Sequence, residues 1–112
     1  MKEDNVIQKK SFEFAVRAVK AYRYIVDTKK EYVLSKQFLR SATSIGANVE
    51  EAIGAQSKPD FIAKLSIAYK EARETNYWIR LLQETEYLTP KESDSLLLDL
   101  EEWSGPQIMY KN

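Results

Sequence analysis

Carboxylates are the only obvious acid–base groups in this sequence, because the chain contains neither histidine nor cysteine. Glu71 and Glu74 are three residues apart and share one helical face, where two acids could exchange protons or bind a divalent cation. Helical di-iron proteins use Glu-x-x-His, and that motif needs a histidine. The alternative is that both glutamates pair with a cation across a subunit boundary, with Arg40 as the candidate partner. We therefore predict no enzyme activity, no metal site, no cofactor and no small-molecule substrate.

A second candidate site is a set of cations on the polar side of the first predicted helix. They could contact the phosphates of RNA or DNA, and the alternative is a solvated helix face. The set consists of Lys9, Lys10, Arg17, Lys20 and Arg23.

Charge is unevenly distributed along the chain, although 17 basic and 17 acidic residues cancel. Residues 1–48 carry ten Lys or Arg and five Asp or Glu, whereas residues 49–112 carry seven and twelve. A uniformly basic nucleic-acid binder would look different. A polarised surface or head-to-tail contacts between subunits are both open.

The elements that would position these residues are four helices in one domain, 1–112. Apolar residues recurring every three or four positions predict helices over about 5–29, 36–53, 58–86 and 90–104. Ser35, Ser57 and Thr89 are the expected N-caps, and Gly54 is expected in a left-handed conformation after the second helix. Short loops predict an all-α, antiparallel up-down-up-down four-helix bundle. The pattern does not decide the conformation of residues 105–112.

The second helix carries a polar stripe beside its apolar face, and Gly46 interrupts it. Core positions are predicted at Phe38, Ala42, Ile45, Val49 and Ala52. The polar stripe includes Arg40, Ser44, Asn48 and Glu51. It predicts either a partly buried network that fixes a helix–helix or subunit–subunit register, or a solvent-facing side with one incidental glycine. Because Gly46 and its neighbours are small, another backbone can approach closely.

Two other helices present apolar residues that bear on packing. On the first, the expected apolar stripe starts at Phe12 and is widened by Phe14. On the third, a second apolar face includes Ile67 and Trp78 and is flanked by Glu71 and Glu74. A bundle helix needs one apolar stripe, so a second stripe predicts a self-association face on the third helix; the alternative is scattered aromatic residues on an exposed surface.

Two stretches, FLRSATSIGANVEEA (38–52) and DFIAKLSIAYKEARETNYWIRLL (60–82), resemble the bacterial 23S rRNA intervening-sequence proteins. The matching residues are Arg40, Ser44, Ile45, Asn48, Glu51, Phe61, Ala68, Glu71, Glu74, Tyr77 and Trp78. The resemblance implies a four-helix bundle that assembles as a ring-shaped homopentamer without established enzymatic activity. Related accessory proteins of diversity-generating retroelements bind nucleic acid through basic surfaces. This chain departs from them in its neutral net charge.

These observations leave two functions. One is a non-catalytic homo-oligomer that binds RNA or a ribonucleoprotein through the first helix, where multivalency offsets weak contacts. The alternative is a protein–protein scaffold or accessory subunit without nucleic-acid binding, which the acidic second half favours. A cytoplasmic location is expected, because no stretch has the roughly 20 apolar residues of a membrane span and cysteine is absent.

Overall fold

Four α-helices make up the fold. The computed structural model describes the backbone of residues 2–104 and the side-chain surroundings of residues 6–102. The helices are α1 (Lys2–Lys29), α2 (Leu34–Ile53), α3 (Lys58–Glu84) and α4 (Pro90–Ser104). No strand occurs in the part of the chain that is described. The all-α four-helix class is therefore confirmed. Residues 105–112, whose conformation the sequence pattern leaves open, lie outside the described residues.

Each helix packs against its neighbours with the chain running in the opposite direction. Sequence numbers rise on one helix as they fall on the other in three of the four helix pairs that are in contact. Those contacts are Gln8–Glu50 and Ser11–Gly46 between α1 and α2, Arg40–Glu74 and Glu51–Lys64 between α2 and α3, and Lys10–Glu102 and Arg17–Asp99 between α1 and α4. These three pairs are antiparallel, as an up-down-up-down bundle requires.

The core is continuous across all four helices. All five predicted core residues of α2 are at most 2% exposed, which confirms that face. The other helices contribute Phe14, Ala18 and Ile25 of α1, Ala68, Ala72, Ile79 and Leu82 of α3, and Leu96 and Leu100 of α4.

Phe12 does not belong to the core, contrary to the sequence prediction. Its side chain is 65% exposed, whereas Phe14 is fully buried. Two residues along a helix turn by about 200°, so the two rings must point in nearly opposite directions. Packing against α2 and α4 selects the face that carries Phe14, and Phe12 is left on the outside.

Ser35 is not the N-cap of α2; the capping group comes from Glu31. Val33 occupies the N-cap position without a side-chain cap. The Glu31 carboxylate instead accepts hydrogen bonds from the backbone N–H groups of Val33, Leu34 and Ser35, at 3.0, 2.9 and 2.7 Å. Ser35 is buried and donates its hydroxyl to the Glu31 carbonyl at 2.8 Å. One upstream carboxylate thus satisfies three N–H groups that would otherwise lack partners.

The predicted caps of α3 and α4 are confirmed. The Ser57 hydroxyl accepts the Asp60 N–H at 3.2 Å. At α4, the Thr89 hydroxyl accepts the Glu92 N–H at 3.1 Å and the Glu92 carboxylate accepts the Thr89 N–H at 2.9 Å. This reciprocal pair is a complete capping box.

The left-handed position predicted for Gly54 is wrong, because its φ is −86°. Glu86 is instead the left-handed residue that follows α3, with φ of 70°, and α3 accordingly ends at Glu84 rather than Glu86. The backbone N–H groups of Glu86 and Tyr87 bond to the carbonyls of Gln83 and Leu82, a Schellman motif. These hydrogen bonds end α3, although Glu86 occupies the left-handed position where glycine is usual.

Candidate functional site

An ion-pair network joins the outer surfaces of α2 and α3. The guanidinium of Arg40 lies between two carboxylates, with Nη1 at 3.4 Å from Glu71 Oε1 and Nη2 bonded to Glu74 Oε2. The indole N–H of Trp78 donates to the same Glu74 oxygen at 2.9 Å. We call Arg40, Glu71, Glu74 and Trp78 the α2–α3 network. Its members come from two helices of a single chain.

The network holds Glu74 in its charged form. The Trp78 indole, together with Arg40, lowers the pKa of Glu74, and the hydrogen bond that Arg40 donates to Glu74 helps to raise the pKa of Arg40. A carboxyl group with a lowered pKa is a poor proton donor near neutral pH. The chemistry available here is charge pairing between helices.

The proposed pairing of Arg40 with the two glutamates is therefore present, but its location differs from the one we predicted. The prediction placed it across a subunit boundary, whereas the structure forms it between adjacent helices of one protomer. A second copy is not needed to neutralise these charges.

The remaining residues of the predicted polar stripe form two separate contacts. The Asn48 amide donates to the carbonyl and the hydroxyl of Ser44, at 2.8 and 3.2 Å. Glu51 pairs with Lys64 of α3 at 2.9 Å. The Ser44–Asn48 contact stays within α2, so the stripe is three local contacts rather than one continuous network.

A buried polar pair lies beneath this surface, and sequence periodicity did not reveal it. The hydroxyls of Ser41 and Thr75 are 2.9 Å apart, and both side chains are fully buried. Thr75 also donates to the carbonyl of Glu71 at 2.7 Å. A threonine in an otherwise apolar series carries no distinctive signal, because it tolerates both core and surface positions. Because an unpaired buried hydroxyl lowers the stability of the folded state, this pair favours the register of α2 against α3 in which the two hydroxyls meet.

The second apolar face of α3 is only partly exposed. Trp78 is half-buried against the core, and its ring meets Tyr77 edge-on with centroids 5.0 Å apart. Tyr77 and Ile67 are 48% and 37% exposed. The outward apolar surface of α3 is therefore smaller than the sequence pattern predicts.

The five α1 cations that were predicted to contact phosphates divide into two groups. Lys10 pairs with Glu102 at 2.8 Å, and Arg17 pairs with Asp99 at 3.1 Å while also donating to Ser95. The bond to Glu102 raises the pKa of Lys10 and lowers that of Glu102. The other three cations are exposed and form no ion pair within the described part of the chain: Lys9, Lys20 and Arg23.

A groove of about 430 Å³ separates α1 from α4 near the start of α4. Its floor is apolar, formed by Ala21, Leu88 and Leu96, and cations stand at its rim. The Glu92 carboxylate that lines it is engaged in the α4 capping box. An apolar lining with cations beside it suits an apolar group that carries negative charge.

Neither a membrane-spanning helix nor a metal-binding cluster occurs among the described residues. None of these helices is both long and apolar enough to cross a membrane. No cluster of three or more Asp, Glu, His or Cys side chains is arranged to hold a metal ion in this part of the chain.

The fold and these surfaces define a small all-α four-helix-bundle protein whose polar clusters lie on the outer faces of its helices. The sequence pattern of the 23S rRNA-intervening sequence protein family matches residues 3–106, and the chain belongs to this family. It is 51% identical to a Bacteroides thetaiotaomicron protein of unknown function, described as from the S23 ribosomal protein family, whose crystal structure is known. That match covers 97% of this chain and 96% of the other, with a TM-score of 0.91. None of the curated proteins gives a significant match.

Proposed function

We propose that this chain is a non-catalytic, self-associating protein of the intervening-sequence family, built to act as an oligomeric binding module in the cytoplasm. The observation that carries the proposal is the exposure of large apolar side chains on rigid helix faces. Phe12 on α1 is 65% exposed and Leu98 on α4 is 71% exposed. Burying such a side chain contributes about 1.5–3 kcal/mol, so a partner that covers it gains substantial free energy.

The non-catalytic part of the proposal rests on how the carboxylates are used. Glu71 and Glu74 bind Arg40, Glu31 caps α2, and Glu92 caps α4. Each of these acids has a structural partner, and Glu31 and Glu74 have lowered pKa values. A general acid at neutral pH requires the opposite shift.

Solution mass tests self-association. We expect light scattering to give a mass several times the 13.0 kDa of one chain, and five times that value for the ring pentamer that the family resemblance implies. The mass should hold across a dilution series, because multiple junctions close a ring. A mass of one chain at high concentration would contradict the proposal.

RNA binding through α1 is a second candidate function. Lys9, Lys20 and Arg23 are exposed and free of ion pairs among the described residues, so their charges are available to phosphates. The family name refers to 23S ribosomal RNA, which makes structured RNA the appropriate probe.

A charge-reversal pair tests this candidate. K20E/R23E should weaken binding of a labelled structured RNA at low salt by about tenfold or more and flatten its salt dependence, because fewer counterions are released. K70E/R73E is the matched control, since it reverses two exposed cations with the same spacing on α3. Equal losses in both variants would indicate nonspecific attraction. Absence of binding at micromolar wild-type protein would favour the scaffold function instead.

A further inference from the structure

We propose that the outer face of α4 docks onto the outer face of α1 in a second copy of this chain. The α4 outer face is Asp94, Leu98 and Glu101, and the α1 outer face is Lys9, Phe12, Val16 and Lys20. This inference rests on the self-association proposed above. It adds which two surfaces meet: the contact is heterologous, so a different face of each copy is used at every junction.

The α4 outer face is an apolar knob between two acids. Leu98 is 71% exposed, while its neighbours Leu96 and Leu100 are buried in the core. Asp94 and Glu101 lie one turn away on either side, and both are exposed. Neither acid forms an ion pair with another described residue.

The α1 outer face is an apolar socket with cations at its ends. Phe12 and Val16 are 65% and 40% exposed. Beside Phe12 is a concavity of about 250 Å³, and its lining includes Ala15, Gly46 and Ala47. These residues have little or no side chain, so the concavity is large enough for a leucine.

Charge favours the same pairing. Lys9 and Lys20 flank Phe12 and Val16 on this face, and the exposed Arg23 lies one turn beyond Lys20. The one carboxylate that lines the concavity, Glu50, accepts hydrogen bonds from the Gln8 amide. The same two helices already pair cation with acid inside one chain, at Lys10–Glu102 and Arg17–Asp99. The outer faces repeat this arrangement with no partner in the same chain.

The spacing of the two faces is compatible. At about 1.5 Å per residue, Asp94 and Glu101 are separated by roughly 10 Å along α4, and Lys9 and Lys20 by roughly 16 Å along α1. Lysine side chains are long enough to close the difference at both ends.

The signs of the charges determine which face pairs with which. Pairing α1 with α1 would bring cations together, and pairing α4 with α4 would bring acids together; like charges in an interface are unfavourable. Of the three ways to pair these two faces, the α4-to-α1 contact is the one that places opposite charges and the two apolar centres together. A heterologous contact of this kind closes a ring when its rotation permits.

Complementary variants test this geometry. Phe12→Asp removes the socket but keeps the knob, and Leu98→Asp removes the knob but keeps the socket. Both positions are exposed, so each variant should fold, as circular dichroism can verify. Each alone should sediment with the 13.0 kDa mass of a single chain. An equimolar mixture should give a species of twice that mass, because one intact junction can form between the two variants.

Ile62→Asp is the matched control, because Ile62 is 53% exposed on α3 and belongs to neither face. It should keep the wild-type mass.

If wild type is oligomeric and both variants stay oligomeric, these surfaces are not the interface, while self-association stands. If the variants dissociate but their mixture forms no dimer, the heterologous pairing is wrong. If wild type is a single chain, both proposals fail. If Phe12→Asp abolishes RNA binding without changing the mass, the socket serves RNA rather than a second copy.

Discussion

Replacing Gly46 with valine should lower the free energy of unfolding by about 3 kcal/mol. A Cβ atom at this position would lie 3.3 Å from the carbonyl oxygen of Ser11 and 3.5 Å from its carbonyl carbon. Ser11 is buried on α1, so the obstructing atoms are helix backbone and cannot rotate away. The extra methyl groups of valine would force α1 and α2 apart along their contact. Urea denaturation at a fixed protein concentration measures the effect.

Two alanine variants provide the comparison. Gly46→Ala adds only the Cβ, and we expect it to fall between wild type and Gly46→Val, because the gain in helix propensity offsets part of the overlap. Gly54→Ala should be neutral or slightly stabilising, since its Cβ would meet carbonyl oxygens only at 3.8 and 3.9 Å and its φ is −86°. Wild-type stability in Gly46→Val would show that α1 and α2 do not approach as closely as described.

Gly46 also shows what the sequence could and could not predict. Small residues on α2 indicated that another backbone comes close, and this prediction is confirmed. That this backbone belongs to Ser11 of α1 could be read only from the three-dimensional structure, because sequence periodicity describes one helix at a time. The core face of α2 and the caps at Ser57 and Thr89 depend on local spacing, and they were predictable for that reason.

The candidate site was predictable to the same extent. Spacing placed Arg40, Glu71 and Glu74 on outer helix faces, but it did not distinguish a partner helix in the same chain from one in a second chain. The antiparallel register of α2 and α3 brings them together within one protomer. Phe12 illustrates the opposite case: an aromatic residue that periodicity assigned to the core is 65% exposed. We use this exposure as the basis for the proposed self-association.

Glu31 was not identified from the sequence because its role crosses a loop. It follows Lys30, a left-handed residue with φ of 58°, and it caps a helix that begins three residues later. A capping search looks for a side chain at the N-cap position itself, where this chain has Val33. The chain turns at Lys30, directly before Glu31, and the Glu31 carboxylate then accepts hydrogen bonds from the N–H groups at the start of α2.

Replacing Glu31 with alanine should therefore lower the free energy of unfolding by about 2 kcal/mol at pH 7, because three N–H groups of α2 lose a charged acceptor. Burial alone would raise the pKa of Glu31, but the bonds from Leu34, Ser35 and Val33 outweigh it and lower the pKa. A lowered pKa in the folded state means that the stabilisation is complete above the ordinary carboxyl pKa of about 4.3 and is lost as pH falls through the lowered value.

The difference in unfolding free energy between wild type and Glu31→Ala should thus stay constant from pH 7 to about pH 5 and shrink below about pH 4. Glu31→Gln should lie between them at pH 7, since an amide keeps one acceptor oxygen but loses the charge. Asp27→Ala is the control, because Asp27 is an exposed acid in the last turn of α1, where negative charge does not favour the helix. A difference that persisted unchanged at pH 3 would mean that Glu31 contributes through packing rather than through its charged carboxylate.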